Sequence, residues 1–163
     1  MTNDNATTWL TPDARDRLEA ELATLSNEGR HEITSRIEAA REEGDLKENG
    51  GYHAAKDEQG KMEARIRTLT NLLKNATVGE STAAAGIVGP GTVVTATIAG
   101  DPSTFLLGNR EIIAAGSDLS VYSETSPLGQ AINGLAVGTT TSYTAPNGKE
   151  ITVEITAVDT YTP

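Results

Sequence analysis

"EEGDLKENGGYH", residues 42–53, decides how the first half of this chain folds. Acids and glycines crowd between two stretches of helical period, so the segment reads as the bend of a helical hairpin. Upstream, Thr11 followed by Pro12 makes an N-cap and first-turn pair, because proline's missing N–H is not needed there. Apolar residues recur at Leu18, Leu22 and Leu25, pause over "SNEGRH" (26–31), and resume at Ile33, Ile37 and Ala40. The resumption is off the earlier heptad frame, which predicts a bend or a local change of winding near 26–31. Downstream, Tyr52, Ala55, Gln59, Met62, Ile66, Leu69 and Leu73 alternate three and four apart. That is a coiled-coil seam whose one polar member is Gln59. Two such helices make an antiparallel hairpin, an arm of about 50 Å if the first runs roughly 33 residues.

Residues 76–90, "ATVGESTAAAGIVGP", have the small, Gly-rich composition of a linker. The period then changes to two. Strands are predicted at "TVVTATIAG" (92–100), "STFLLG" (103–108), "DLSVYS" (118–123), "TSYTAP" (141–146) and "KEITVEITAV" (149–158). "PNG" (146–148) is a hairpin turn, and Ile151, Val153, Ile155 and Ala157 fall on one face of the last strand. Ser126 and Pro127 open a short helix within 126–135. The expected fold class is α+β. It comprises an antiparallel coiled-coil arm over 1–78 with an acidic tip at 42–51, a linker at 79–90, and a small, mostly antiparallel sheet packed on one helix over 91–163.

Composition narrows the function. The 163 residues are 37% hydrophobic with one Trp and one Phe, a thin supply for one thick core and better suited to two small ones. There is no cysteine, which excludes disulfides, thiolate metal sites and a cysteine nucleophile. No apolar run is long enough to span a membrane and no signal-peptide pattern opens the chain, so a cytoplasmic protein with no membrane partner is expected. The net charge of −10 is too acidic to hold nucleic acid by long-range attraction alone. Residues 1–78 carry 11 of the 13 basic residues and 15 of the 23 acids, whereas 79–163 hold only Arg110 and Lys149 as cations, so the halves differ in kind.

Asp45 and Glu48 stand three apart at the bend. If the chain turns helically there, both carboxylates face one side. Two carboxylates form a weak site for a hard divalent cation by themselves and a good half-site beside further ligands. On residue type alone they read first as turn and cap residues, since Asp favours turns and acids suit a helix N-terminus.

Five stretches carry a resemblance: "WLTPDARDRLEAEL" (9–22), "AREEGDLKENGGYHAAKDEQ" (40–59), "ARIRTL" (64–69), "VYSETSPLGQAINGLAVG" (121–138) and "YTAPNGKEITVEI" (143–155). Together they resemble the bacterial Gre family of transcript cleavage factors, most closely its GreA type. The element G-D-L-x-E-N-x-x-Y-x-A-A is the most specific part. The resemblance implies a coiled coil that enters the secondary channel of bacterial RNA polymerase and a C-terminal domain, with a fold like FK506-binding proteins, that docks at the channel rim. It implies a monomer that is not itself an enzyme but stimulates the polymerase's own cleavage of backtracked nascent RNA.

On that resemblance, Asp45 and Glu48 share a Mg²⁺ ion with the polymerase's aspartates and complete a two-metal centre, with no metal held tightly by the free protein. Asn49 would orient the attacking water. Arg41 and Lys56 would meet RNA phosphates; their alternative is as solvated flanks paired with Glu42, Glu43 or Asp57. Tyr52 either contacts RNA or packs beneath the tip. Ser126, Pro127 and Leu128 lie on the loop expected to dock on the polymerase, and the acidic second half suits a basic surface there. Gly50 and Gly51 replace an Ala-Glu pair common in such proteins and remove one tip carboxylate, and His31 replaces a proline. Other functions stay open: an inhibitor of the same channel, a coiled-coil adaptor, or a prolyl isomerase. The last needs an aromatic pocket, and residues 79–163 supply only Phe105, Tyr122, Tyr143 and Tyr161.

Overall fold

The computed structural model describes residues 8–44 and 46–163. Arg15–Asn75 form one compact unit, and the described residues through Ala14 join Ala76–Pro163 in the other.

The helical unit holds most of α1 (Pro12–Thr24), all of α2 (Arg30–Glu42) and α3 (Gly50–Lys74). Thr11 caps α1, its Oγ1 accepting the Ala14 N–H at 3.1 Å. Between α1 and α2 lies a π-helical turn, Leu25–Gly29. This is the change of winding that the off-frame heptads require: a π-turn takes up an extra residue, so the apolar stripe restarts displaced. Gly29 has ordinary helical angles. Its value is space, since a Cβ there would lie 3.0 Å from the Met62 sulfur. Ile33, Ile37 and Ala55 form the buried seam between α2 and α3, flanked by Tyr52 and Met62. Gln59 is half-buried and accepts from Lys56 Nζ at 3.0 Å. Arg30–Glu63 at 2.8 Å and Arg36–Glu58 at 2.8 Å bridge the two helices at the rim of the seam.

The sheet unit begins with an element absent from the sequence reading. β1 (Thr8–Leu10) pairs in parallel with β2 (Ala76–Val78), so residues before and after the helices are stitched together. Residues 79–90 also depart from the linker expectation. They contain a 3-10 turn at Ala83–Ala85, buried Ala83 and Val88, and a bridge from Ile87 to Ala136. Small residues here serve close packing: a Cβ on Gly79 would come within 2.7 Å of the Trp9 indole nitrogen.

The main sheet has strands β3 (Thr92–Ile98), β4 (Asp101–Leu107), β5 (Ser120–Tyr122), β6 (Thr140–Thr144) and β7 (Glu150–Thr160), in the order β5-β4-β3-β7-β6. All neighbours are antiparallel except β4 and β5. Helix α4 (Pro127–Ile132) buries Leu128 and Ile132 in a core with Val94, Phe105, Val153 and Ile155. The "PNG" turn forms as expected, with Gly148 at φ +83° and its N–H on the Ala145 carbonyl at 2.8 Å. The predicted face of β7 holds only through Ile155. Register slips opposite Thr95 and Ala96, so Thr156 is the bulged residue and the buried position beyond it is Val158, with Ala157 half-buried.

Candidate functional site

The turn between α2 and α3 is organised by Asn49. Its backbone is extended, and its side-chain oxygen accepts the Tyr52 N–H at 3.0 Å, capping α3. Its side-chain nitrogen donates to the Ala40 carbonyl at 2.5 Å. Ala40 lies in the last turn of α2, and its carbonyl also accepts the Glu43 N–H at 3.2 Å. One carboxamide therefore gives a last-turn carbonyl of α2 a second donor and satisfies an orphan donor on α3. Gly44, at φ +128°, follows the α2 cap, a conformation that suits glycine as a helix stop.

Around this clamp the expected site residues fall as follows. Glu48 is exposed in the turn, and no ion pair engages it among the described residues. Asp45 lies outside the described residues. Asn49 is half-buried and engaged with both helices, so its amide is occupied by structure rather than offered to a water. Tyr52 is half-buried against the Ile33–Ile37–Ala55 seam. Arg41 places its guanidinium carbon 5.8 Å from the Tyr52 ring centroid, within cation–π range. Lys56 is exposed and bonded to Gln59. Asp57 pairs with Lys61 at 3.0 Å, and among the described residues neither Arg41 nor Lys56 pairs with Glu42, Glu43 or Asp57. His53 is exposed and donates from Nε2 to the Lys47 carbonyl at 3.1 Å. Its position four after Asn49 was the only sequence signal of that role.

Glu48 is a hard oxygen donor open to water, which fits a Mg²⁺ ion that keeps part of its hydration shell. Among the described residues, no group of three or more His, Asp or Glu side chains could hold a metal by itself.

In the sheet unit, Ser126 caps α4, its Oγ accepting the Gly129 N–H at 3.0 Å and donating to the Ser123 carbonyl at 2.6 Å. Pro127 is exposed, but Leu128 is 4% exposed and belongs to the core. Of the three expected docking residues, Leu128 is thus a packing residue, because the first turn of α4 faces the sheet. A cleft of about 510 Å³ lies nearby, lined by Trp9, Asn109, Arg110, Ser123 and Glu124 among others. Partial burial raises the Glu124 carboxyl above its ordinary pKa. None of the four aromatics of 79–163 that a prolyl isomerase would need lines this cleft. Phe105 is fully buried, edge-on to Tyr122 at 4.9 Å, and the Tyr161 hydroxyl accepts from the Ala114 N–H at 2.8 Å. Among the described residues, no helix is long and apolar enough to cross a membrane.

A helical hairpin with an acidic turn, followed by a five-stranded sheet with one packed helix, is matched over most of the chain by family models. Residues 8–78 match the N-terminal model of transcription elongation factors, and 83–160 match the C-terminal GreA/GreB model. Transcription elongation factor GreA of Streptomyces avermitilis is 53% identical over 99% of this chain and 98% of its own. That of Mycobacterium tuberculosis is 48% identical over 97% and 98%. A crystal structure of GreA factor homolog 1 (Gfh1) of Thermus thermophilus is 26% identical over 93% of this chain and 98% of that one, with a TM-score of 0.44. The chain belongs to the GreA/GreB family of transcription elongation factors.

Proposed function

We propose that this elongation factor binds bacterial RNA polymerase through its secondary channel and stimulates the polymerase's own cleavage of backtracked RNA 3′ ends, without being an enzyme itself. The observation that carries the reading is the Glu48 carboxylate, exposed in the turn of the helical hairpin, inside the motif "GDLKEN" (44–49). Asp45 and Glu48 contribute carboxylate oxygens to a Mg²⁺ ion shared with polymerase aspartates. When bound, that ion supplies Lewis-acid stabilisation of charge at the scissile phosphate. Arg41 and Lys56, free of acidic partners among the described residues, offer cations to the RNA backbone. Tyr52 holds Arg41 in place and packs the seam. The exposed Pro127 and half-buried Ser126 present the sheet unit to the channel rim.

The test is a backtracked polymerase complex carrying end-labelled RNA. Added with Mg²⁺, the native chain shortens the transcript. Asp45→Asn and Glu48→Gln remove that stimulation while still competing with native factor for polymerase. Loss of competition in step with loss of cleavage would contradict the shared-metal reading, and suppressed synthesis by the native chain would make the protein a channel inhibitor.

A further inference from the structure

Glu48 is exposed, yet the backbone on either side of it is held. The peptide between Lys47 and Glu48 is anchored because the Lys47 carbonyl accepts from His53 Nε2 at 3.1 Å. The residue after it, Asn49, is anchored three times. Its Oδ1 meets the Tyr52 N–H, its Nδ2 meets the Ala40 carbonyl, and its own carbonyl accepts the His53 N–H at 3.2 Å. His53 in turn lies edge-on to Tyr52, with ring centroids 5.6 Å apart. Tyr52 is seated on the buried seam. A chain of contacts thus runs from the hairpin core to both neighbours of an exposed carboxylate.

We propose that Asn49 and His53 are positioning residues that fix the backbone around Glu48, so that its carboxylate is presented in one direction. The proposal rests on the cleavage reading above for what the carboxylate does, and on these contacts alone for how it is held. The residue types follow from geometry. Asn49 must accept on one helix and donate to a carbonyl nine positions back, and only a carboxamide of this length does both. Serine at that position keeps the cap but cannot reach Ala40. At position 53 a donor is needed at the distance of Nε2, which glutamine can supply and leucine cannot. A ligand group held in advance does not have to be ordered when the metal is shared, which is where rate is gained.

The experiment uses the full chain with Asn49→Ser, His53→Leu and His53→Gln. Cleavage by a backtracked bacterial polymerase is followed against factor concentration, and amide hydrogen exchange of residues 52 and 53 is followed in the free protein. Asn49→Ser and His53→Leu should lower the maximal cleavage rate roughly tenfold, with the half-saturating factor concentration moved less than about twofold. His53→Gln should restore most of the rate. Exchange at 52 and 53, whose N–H groups donate to Asn49, should accelerate in Asn49→Ser and His53→Leu, while Ile66 and Leu69 stay protected and helical circular dichroism is unchanged. Native rates in both variants, or a loss that appears only as weaker polymerase binding, would overturn the proposal. If the native chain stimulates no cleavage, the functional reading fails by itself. The holding role is then decided by exchange: acceleration at 52 and 53 upholds it, and native exchange in both variants refutes it.

Discussion

The guanidinium carbon of Arg41 rests 5.8 Å from the centroid of the Tyr52 ring, so the cation near the end of α2 is seated on the first large residue of α3. The ring, rather than the hydroxyl, makes this contact and fills the end of the seam. Tyr52→Phe should therefore change stability by less than about 0.5 kcal/mol and leave cleavage stimulation intact. Tyr52→Ala should cost about 2 kcal/mol, since it removes a half-buried ring as well as the seat for Arg41. Urea denaturation of both variants, read by far-ultraviolet circular dichroism, checks this.

Gly29 sits in the π-turn with ordinary helical angles, and a Cβ there would lie 3.0 Å from the Met62 sulfur. The atom a Cβ would press, the Met62 sulfur, lies within a flexible side chain. Gly29→Ala should accordingly be neutral or stabilising by up to about 1 kcal/mol, through helix propensity. Gly29→Val, with two branches facing Met62 and Leu25, should be destabilising. Thermal melts of the two variants separate the effects.

Gly91 is the opposite case. Its φ is +82°, and a Cβ would lie 2.5 Å from the Trp9 ring. Gly91→Ala should cost more than about 2 kcal/mol, from a left-handed backbone and a displaced indole. Trp9 is the one tryptophan in the chain, so its fluorescence should shift in this variant and remain native in Gly100→Ala, where a Cβ meets nothing within 4 Å.

Leu128 and Pro127 are neighbours with different work. Leu128→Ala should destabilise the sheet unit by about 3 kcal/mol through the cavity it leaves. Pro127→Ala should leave the core intact and weaken polymerase binding. Calorimetry together with a polymerase competition assay distinguishes the two.

Glu124 carries a pH signature. Burial raises its carboxyl pKa, so the folded chain binds this proton more tightly than the unfolded chain does. The ionised group therefore costs stability at neutral pH, and the cost fades as pH falls through the ordinary carboxyl range near about 4. Glu124→Gln should raise the melting temperature at pH 7, with the gain shrinking toward zero below about pH 4. A series of melts across that range reads it directly.

The helices, the caps of α1 and α4 and the winding change near Gly29 were legible because each is written in residues three to seven apart. Thr11, Ser126 and the seam from Tyr52 to Leu73 follow the same local logic, as do the five main strands. The bulge at Thr156 was not legible. Alternation through Ile151, Val153 and Ile155 continues smoothly to Ala157 on paper, and only pairing with Thr95 and Ala96 shows the slip. Leu128 looked available because it follows an exposed proline, and its burial depends on which way α4 faces the sheet.

By itself the chain's order of residues determined the two kinds of structure, the acidic turn and the family. Tertiary structure alone decided that Thr8–Leu10 pairs with Ala76–Val78, that Asn49 ties α3 to Ala40, and that His53 holds Lys47. Periodicity and capping record energies between near neighbours. A contact across nine residues or across sixty-eight exists only once the intervening chain has folded back, and no local pattern encodes that return.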